Sequence, residues 1–265
     1  MHYSVNGALW LGILCLALAA GPGWAGRAAG TQAVAADPGP ATILWFDERE
    51  PGVNPYRTRM IVARDYVRMD DGAAGDDFVL FDRRTGAIHS VSHEDRTVLD
   101  VPAREVRREP PYELRLTESR EPQAEAPKID GRTPEHLVFK VNGKTCYEVI
   151  AVPGLLEDAV AALRQYHRSL AGEQAQTLDW TPPEMQTPCM LANVVFYPAR
   201  HLAYGFPVQE WDYRGYVRAL RDYQVGVTVD PTLFRLPEDY RHYRIEDIRA
   251  RSFGTEPMGA PEASN

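Results

Sequence analysis

A mainly β fold of the α+β class, with one principal helix packed on the sheet, is what this sequence predicts, and three observations carry that expectation. Residues 60–101 break into short apolar runs separated by turn-forming residues, as a meander of antiparallel strands does. Asn142-Gly143 sits between two alternating runs, the strongest short signal for a hairpin, because both residues tolerate positive φ. Only one stretch, Leu156–Leu170, places its apolar side chains at helical spacing.

Within the meander the runs Met60–Ala63, Tyr66–Asp70, Asp77–Asp82, Ala87–Ser92 and Thr97–Val101 read as strands. With side chains alternating across a strand, Val67 and Met69 oppose Tyr66 and Arg68, and Phe78 and Leu80 oppose Val79 and Phe81. Phe78–Phe81 is apolar on both faces, so it is placed centrally with a cover on each side. Ala41–Phe46 is the first expected strand, and Tyr112–Thr117 another, followed by a polar surface loop, 118–134. His136–Val141 and Thr145–Val152 flank the hairpin turn. The helix carries Leu156, Ala159, Val160, Leu163, Tyr166, His167 and Leu170 on one stripe, with Gly172 read as its C-terminal cap. Leu191–Tyr197, Gly205–Asp212 and Tyr216–Val229 complete the strands, with Val217, Ala219, Tyr223, Val225, Val227 and Val229 on one face unless a bulge intervenes, for which Gly226 is the expected place.

The N-terminus sets the compartment. Residues 1–25 contain no Asp, Glu, Lys or Arg, and the apolar run Ala8–Ala20 is too short to span a bilayer yet suits a signal peptide. Gly23-Trp24-Ala25 offers small residues for cleavage after Ala25. The expected organisation is therefore a signal peptide (1–25), a flexible Ala-, Gly- and Pro-rich leader (26–40), a single β domain (41–250) and a disordered tail (251–265), in a periplasmic protein. The α-amino group and His2 are the only positive groups ahead of the apolar run, so retention as an anchor is the alternative.

Charge and cysteine use bound the partners. The net charge of −8 disfavours nucleic acid and leaves at most peripheral contact with a membrane. Cys15 leaves with the signal; Cys146 and Cys189, an even pair in an exported chain, are expected to form a disulfide. The competing reading, a catalytic thiolate with His167 or His201 as base, needs a free thiol in an oxidising compartment.

Other constellations point to no cofactor and no metal. His89 and His93 lie four residues apart on a strand, about 13 Å at strand rise, too far for one ion unless a turn folds them together with Glu94 and Asp95. Asp70, Asp71, Asp76 and Asp77 bracket a Gly-containing loop without EF-hand spacing. No GxSxG, GxxxxGK or HExxH pattern occurs.

Val229-Asp230-Pro231, Leu233-Phe234, Leu236-Pro237 and Tyr240, after a long strand, resemble the end of the bacterial outer-membrane lipoprotein-carrier and -sorting superfamily. Tyr66-Val67-Arg68, Phe78–Asp82, Ile88–Val91 and Gly205-Phe206-Pro207-Val208 are similar to its hairpins and strand starts. The resemblance implies a curved, unclosed antiparallel half-barrel enclosing an apolar hollow, and no catalysis. Two departures are an inserted helix with its cysteines and the lack of an amphipathic helix before the first strand. The hollow's candidate lining is Val67, Met69, Phe78, Leu80, Tyr197, Trp211, Val217 and Tyr223. On this basis the expected function is a non-enzymatic carrier of lipid or of a lipidated partner. Its rival is an envelope interaction or structural module whose core is solid, and the two differ in whether the helix fills the sheet's apolar face.

Overall fold

The computed structural model describes residues 39–248 apart from Ala74. The expected signal segment, residues 26–38 of the leader and the tail 251–265 lie outside the described residues. Among the described residues there are twelve strands: β1 (Ala41–Arg49), β2 (Tyr56–Val62), β3 (Tyr66–Asp70), β4 (Phe78–Asp82), β5 (Ile88–Ser92), β6 (Thr97–Val101), β7 (Leu116–Pro122), β8 (Glu135–Val141), β9 (Lys144–Val152), β10 (Phe206–Asp212), β11 (Val217–Val227) and β12 (Arg241–Arg244). They form one open sheet in the order β12-β6-β5-β4-β3-β2-β1-β11-β10-β9-β8-β7. Neighbours are antiparallel except β12, which lies parallel to β6 and makes the sheet mixed.

β1 joins the two halves, pairing with β2 on one side and β11 on the other. Its register propagates through the meander as two rows of side chains. Leu44, Met60, Met69, Val79, Ser90 and Leu99 stand in line on one face, and Ile43, Ile61, Arg68, Leu80, His89 and Asp100 on the other. Both faces are covered, as the doubly apolar β4 requires. On the first face lies α1 (Glu157–Thr177), whose Ala159, Ala162, Leu163 and Tyr166 join Val67, Met69 and Phe81 in the main core. The opposite face is crossed by the segment 229–240, with Leu233, Phe234, Leu236 and Tyr240 over Phe78 and Leu80. Fully burying a side chain such as Leu44, Met60 or Phe81 contributes about 1.5–3 kcal/mol.

Leu156, the residue before α1, is held at φ 50° and follows Pro153-Gly154-Leu155, and Glu157 and Asp158 favour the positive end of the helix dipole. Asp158 also receives both terminal nitrogens of Arg83, at 2.7 and 3.1 Å, which ties the helix to the β4–β5 turn. The Asn142-Gly143 turn has φ of 50° and 81°, the conformation its sequence predicts. Cys146 and Cys189 form the expected disulfide, with Cα atoms 5.0 Å apart. It joins a β-bulge of β9 to the helical turn α2 (Pro188–Met190) and closes a loop worth about 4 kcal/mol in the chain-entropy model.

Several elements differ from expectation. Leu191–Phe196 is a π-helix, not a strand. Thr187 caps Met190 N at 3.3 Å with Pro188 in the first turn, and the buried Leu191, Ala192 and Val195 recur at helical spacing, which the apolar content masks. β7 begins four residues later than the expected Tyr112–Thr117, because Leu114 is drawn into the core beside Cys146 and Leu178 and Tyr112 OH donates to Gln186 O at 2.7 Å. β11 is irregular twice, near Arg221 and at Gly226, which takes φ 73° in the place expected. The first irregularity changes the face: Arg218, Leu220 and Tyr223 lie opposite Glu48, Phe46 and Leu44 on the helix-covered side.

Gly172 is not a cap but lies inside α1, where the backbone of Arg104 passes so close that a Cβ would stand 1.8 Å from its carbonyl oxygen. In an ordinary helix interior Gly→Ala gains about 0.8–1 kcal/mol. Here Gly172→Ala is expected to lose about 2 kcal/mol or more in urea melts, because backbone has to move to admit the methyl group.

Candidate functional site

The alternation that buries Leu44 and Phe46 also turns Glu48 to the helix-covered face, and the register extends it into a polar row across four strands: Tyr56 on β2, Glu48 on β1, Arg218 on β11 and Glu210 on β10. Glu48, Arg218 and Glu210 are all buried, at 3, 7 and 5% exposure. Glu48 accepts hydrogen bonds from Thr58 (2.5 Å), Tyr216 (2.7 Å) and Tyr56 (3.3 Å). Arg218 lies between the two carboxylates, Nε 3.5 Å from Glu48 and Nη1 3.9 Å from Glu210, with its guanidinium 3.6 Å above the Phe46 ring centre. Glu210 accepts from Tyr147 OH at 2.7 Å, and His201 Nε2 lies 3.6 Å from it. His201 in turn packs on Tyr147 and edge-on to His167, 5.7 Å between ring centres.

Electrostatics follow from burial. Glu210 is pushed above the usual carboxylate range by desolvation, which the Arg218 charge and the Tyr147 hydrogen bond only partly offset. The Tyr147 and Tyr216 hydroxyls, raised by burial and by the neighbouring carboxylates, stay protonated and act as donors. Desolvation lowers His201 well below its ordinary value, assisted by His167, Arg200 and Arg164, and takes His167 to about 4 with help from Arg218. The cluster thus sets one guanidinium against two carboxylates, with two neutral imidazoles alongside. Chemically it can hold a proton and fix strand geometry.

Among the described residues no group of three or more His, Cys, Asp or Glu side chains is placed to hold a metal ion. The loop carboxylates are engaged locally: Asp70 binds Arg59 and Arg68, Asp71 accepts from Ala73 N and Asp77 from His93 N. His89 and His93 have different partners. His89 Nδ1 meets Asp100 at 2.6 Å, and His242 Nδ1 meets the same carboxylate at 2.8 Å, fastening β12 to the meander. Burial alone would raise Asp100, but the two imidazoles hold it below the usual range. His93 meets Tyr240 OH at 2.6 Å.

The expected lining residues are not brought together. Val67 and Met69 lie under α1, with Tyr223 packed against the same cluster. Phe78 and Leu80 occupy the opposite face, beneath Phe234. Trp211 and Val217 are cross-strand partners and alternate with Glu210 and Arg218, so they face away from α1. Tyr197 is 39% exposed at the end of the π-helix. A shallow groove of about 300 Å³ runs between α1 and that helix, with Arg104, Val106, Arg168, Ala171, Val195 and Phe196 in its walls. Sequence reasoning missed Glu48, Glu210 and Arg218; the available signal was a charge standing in phase with the apolar set of its own strand.

No family model matches this chain, and no curated protein matches it. Among solved structures, it is similar to an uncharacterized conserved protein from Thermus thermophilus, at 9% identity over 78% of this chain and 91% of that one, with a TM-score of 0.41. It is also similar to PNGF-II, at 10% identity over 79% of this chain and 32% of that one, with a TM-score of 0.39. At these values neither likeness bears on what the chain does.

A histidine whose folded pKa is depressed contributes stability that is complete above its unfolded value of 6.5 and is lost as pH falls toward the folded value. His201→Asn is therefore expected to lose less stability than the unaltered protein between pH 6.5 and 5, read as the difference in urea midpoints at each pH.

Proposed function

We propose that this protein is a non-enzymatic exported protein of lipoprotein-carrier-like build that works as an interaction or structural module of the bacterial envelope. The observation that carries this reading is the occupancy of the sheet's apolar face. Val67 and Met69, the residues best placed to grip an acyl chain, are each 1% exposed and packed in one cluster with Ala159, Leu163 and Tyr166 of α1. On this reading the sheet is a half-barrel whose hollow is filled by its own helix. Export to the periplasm is supported by the charge-free apolar N-terminus and by the Cys146–Cys189 disulfide, which suits an oxidising compartment.

A second reading, a carrier of lipid or of a lipidated partner, is favoured by one feature. Gly154 and Leu156, on either side of Leu155, hold positive φ of 73° and 50°, a costly backbone at the junction of β9 and α1, where a hinge would let the helix swing off the sheet.

Native mass spectrometry of the protein purified from the periplasm, followed by solvent extraction, separates the two. The module reading expects an apo mass and no uptake of fatty acid or phospholipid; a heterogeneous lipid mass retained through purification would replace it with the carrier.

A further inference from the structure

β7 closes one end of the sheet, is paired on one side only, and is exposed along all seven residues. Its hydrogen-bonding phase can be read from its two ends. Asn142 N donates to Arg115 O at 2.9 Å, and Gln123 N donates to Pro134 O at 2.9 Å, both in the register that pairs β7 with β8. In an antiparallel ladder the residues at such pairs direct their backbone groups to the partner strand, and the intervening residues direct theirs outward. The odd-numbered residues therefore face β8, while Leu116, Glu118, Arg120 and Pro122 turn their backbone groups to the open edge. Pro122, with no N–H to offer, occupies an outward position at the strand's end, where a missing donor costs nothing in the monomer.

An exposed edge invites another strand, and charged residues or proline on it commonly discourage pairing. The order of charges here does the reverse for one specific partner. The run Leu116-Thr117-Glu118-Ser119-Arg120-Glu121-Pro122 is complementary to itself when a second copy runs antiparallel about Ser119. We propose that β7 pairs with β7 of a second copy across a two-fold axis at Ser119, continuing the sheet from one subunit into the other. Glu118 then lies opposite the partner subunit's Arg120, and Arg120 opposite the partner subunit's Glu118. Both residues direct their backbone groups outward, so each of these pairs exchanges two main-chain hydrogen bonds. Opposite charges in facing positions on one face stabilise an antiparallel pair.

Charge also selects the register. Shifting the axis to Glu118 would set Glu118 against the partner subunit's Glu118, and shifting it to Arg120 would set Arg120 against the partner subunit's Arg120. Only the axis at Ser119 gives two opposite-charge pairs from the same outward-facing residues. Leu116, 38% exposed, then meets the partner subunit's Pro122, so the strand's exposed apolar side chain gains a neighbour. The internal ties persist: Arg120 grips Glu135 through two hydrogen bonds of 2.5 and 2.6 Å, and Glu118 accepts from Tyr204 OH. Both hold the two side chains on the face where the facing charges meet. Such an interface is isologous, as closed two-fold dimers require, and it is independent of whether the helix-covered face takes a ligand.

Single-cysteine variants read the axis directly. Ser119→Cys places two thiols at a facing, non-hydrogen-bonded pair and is expected to give a disulfide-linked dimer on mild oxidation. Thr117→Cys, displaced two residues from the axis on each strand, is expected to stay monomeric under the same conditions. Sedimentation of the otherwise unaltered protein is expected to show a concentration-dependent dimer that Arg120→Glu abolishes and that the exchange Glu118→Arg with Arg120→Glu restores. Circular dichroism of each variant checks that the monomer remains folded. A monomer at every concentration, equal crosslinking of the two cysteine variants, or a dimer indifferent to Arg120→Glu would each overturn the proposal.

Discussion

The apolar stripe of α1 against the face formed by β1–β6 is the interaction on which the rest of the structure depends. A sheet with Phe46, Met60, Met69 and Phe81 on one face has to bury that face, and here a 21-residue helix from the same chain does so. Its consequences spread outward. The Arg83–Asp158 pair fixes the start of the helix, Gly172 lets its far end press against the Arg104 backbone, and the disulfide holds the returning chain beside β9. On the other face the segment from Val229 to Tyr240 does the same service for Phe78 and Leu80, with Arg68 donating to Leu233 O while its guanidinium lies over the Phe78 ring. The meander is thereby enclosed between two covers.

Where the apolar rows end, the sheet changes character rather than opening. The Tyr56–Glu48–Arg218–Glu210 row places charges in positions that the strand alternation would give to apolar side chains. Buried ion networks stabilise little relative to apolar packing, and removing one member leaves an uncompensated charge. What such a row supplies is register: a one-residue slip of β11 against β1 and β10 would take Arg218 away from both carboxylates, leaving Glu48 and Glu210 with only neutral hydroxyl donors such as Thr58 and Tyr147. β1, β10 and β11 are where the two halves of the sheet meet, so the row sits at the joint where correct pairing matters most. Glu210 and His201 give that joint a dependence on pH, because burial moves both away from their ordinary values.

Much of this fold was legible in the sequence, and the parts that were not share a physical cause. The meander strands, the Asn142-Gly143 hairpin and the helix each satisfy their own local rule, and β4 announced its double burial through four consecutive apolar residues. Leu191–Phe196 misled because an apolar run of six fits a strand or a buried helix equally well; Thr187-Pro188 ahead of it was the deciding signal. β7 was misplaced because nothing local marks a fully exposed strand, and β12 was not expected at all because its four residues are held by Asp100 and the β6 backbone from far away in sequence. The candidate lining residues divide between the two faces for a simpler reason. Val67 and Met69 pair in register with Phe81 and Val79, so Phe78 and Leu80 had to face the other way. The polar row needed the β1–β11 register and a bulge near Arg221, which no single strand reveals.

Hydrogen exchange followed by mass spectrometry tests most directly whether α1 is part of the core or a cover that opens. The amides of α1 are expected to exchange in the same slow class as those of β1–β4, through global unfolding. Fast exchange along α1 while β1–β4 stay protected would contradict it, because it would describe a helix that leaves an intact sheet and exposes its apolar face.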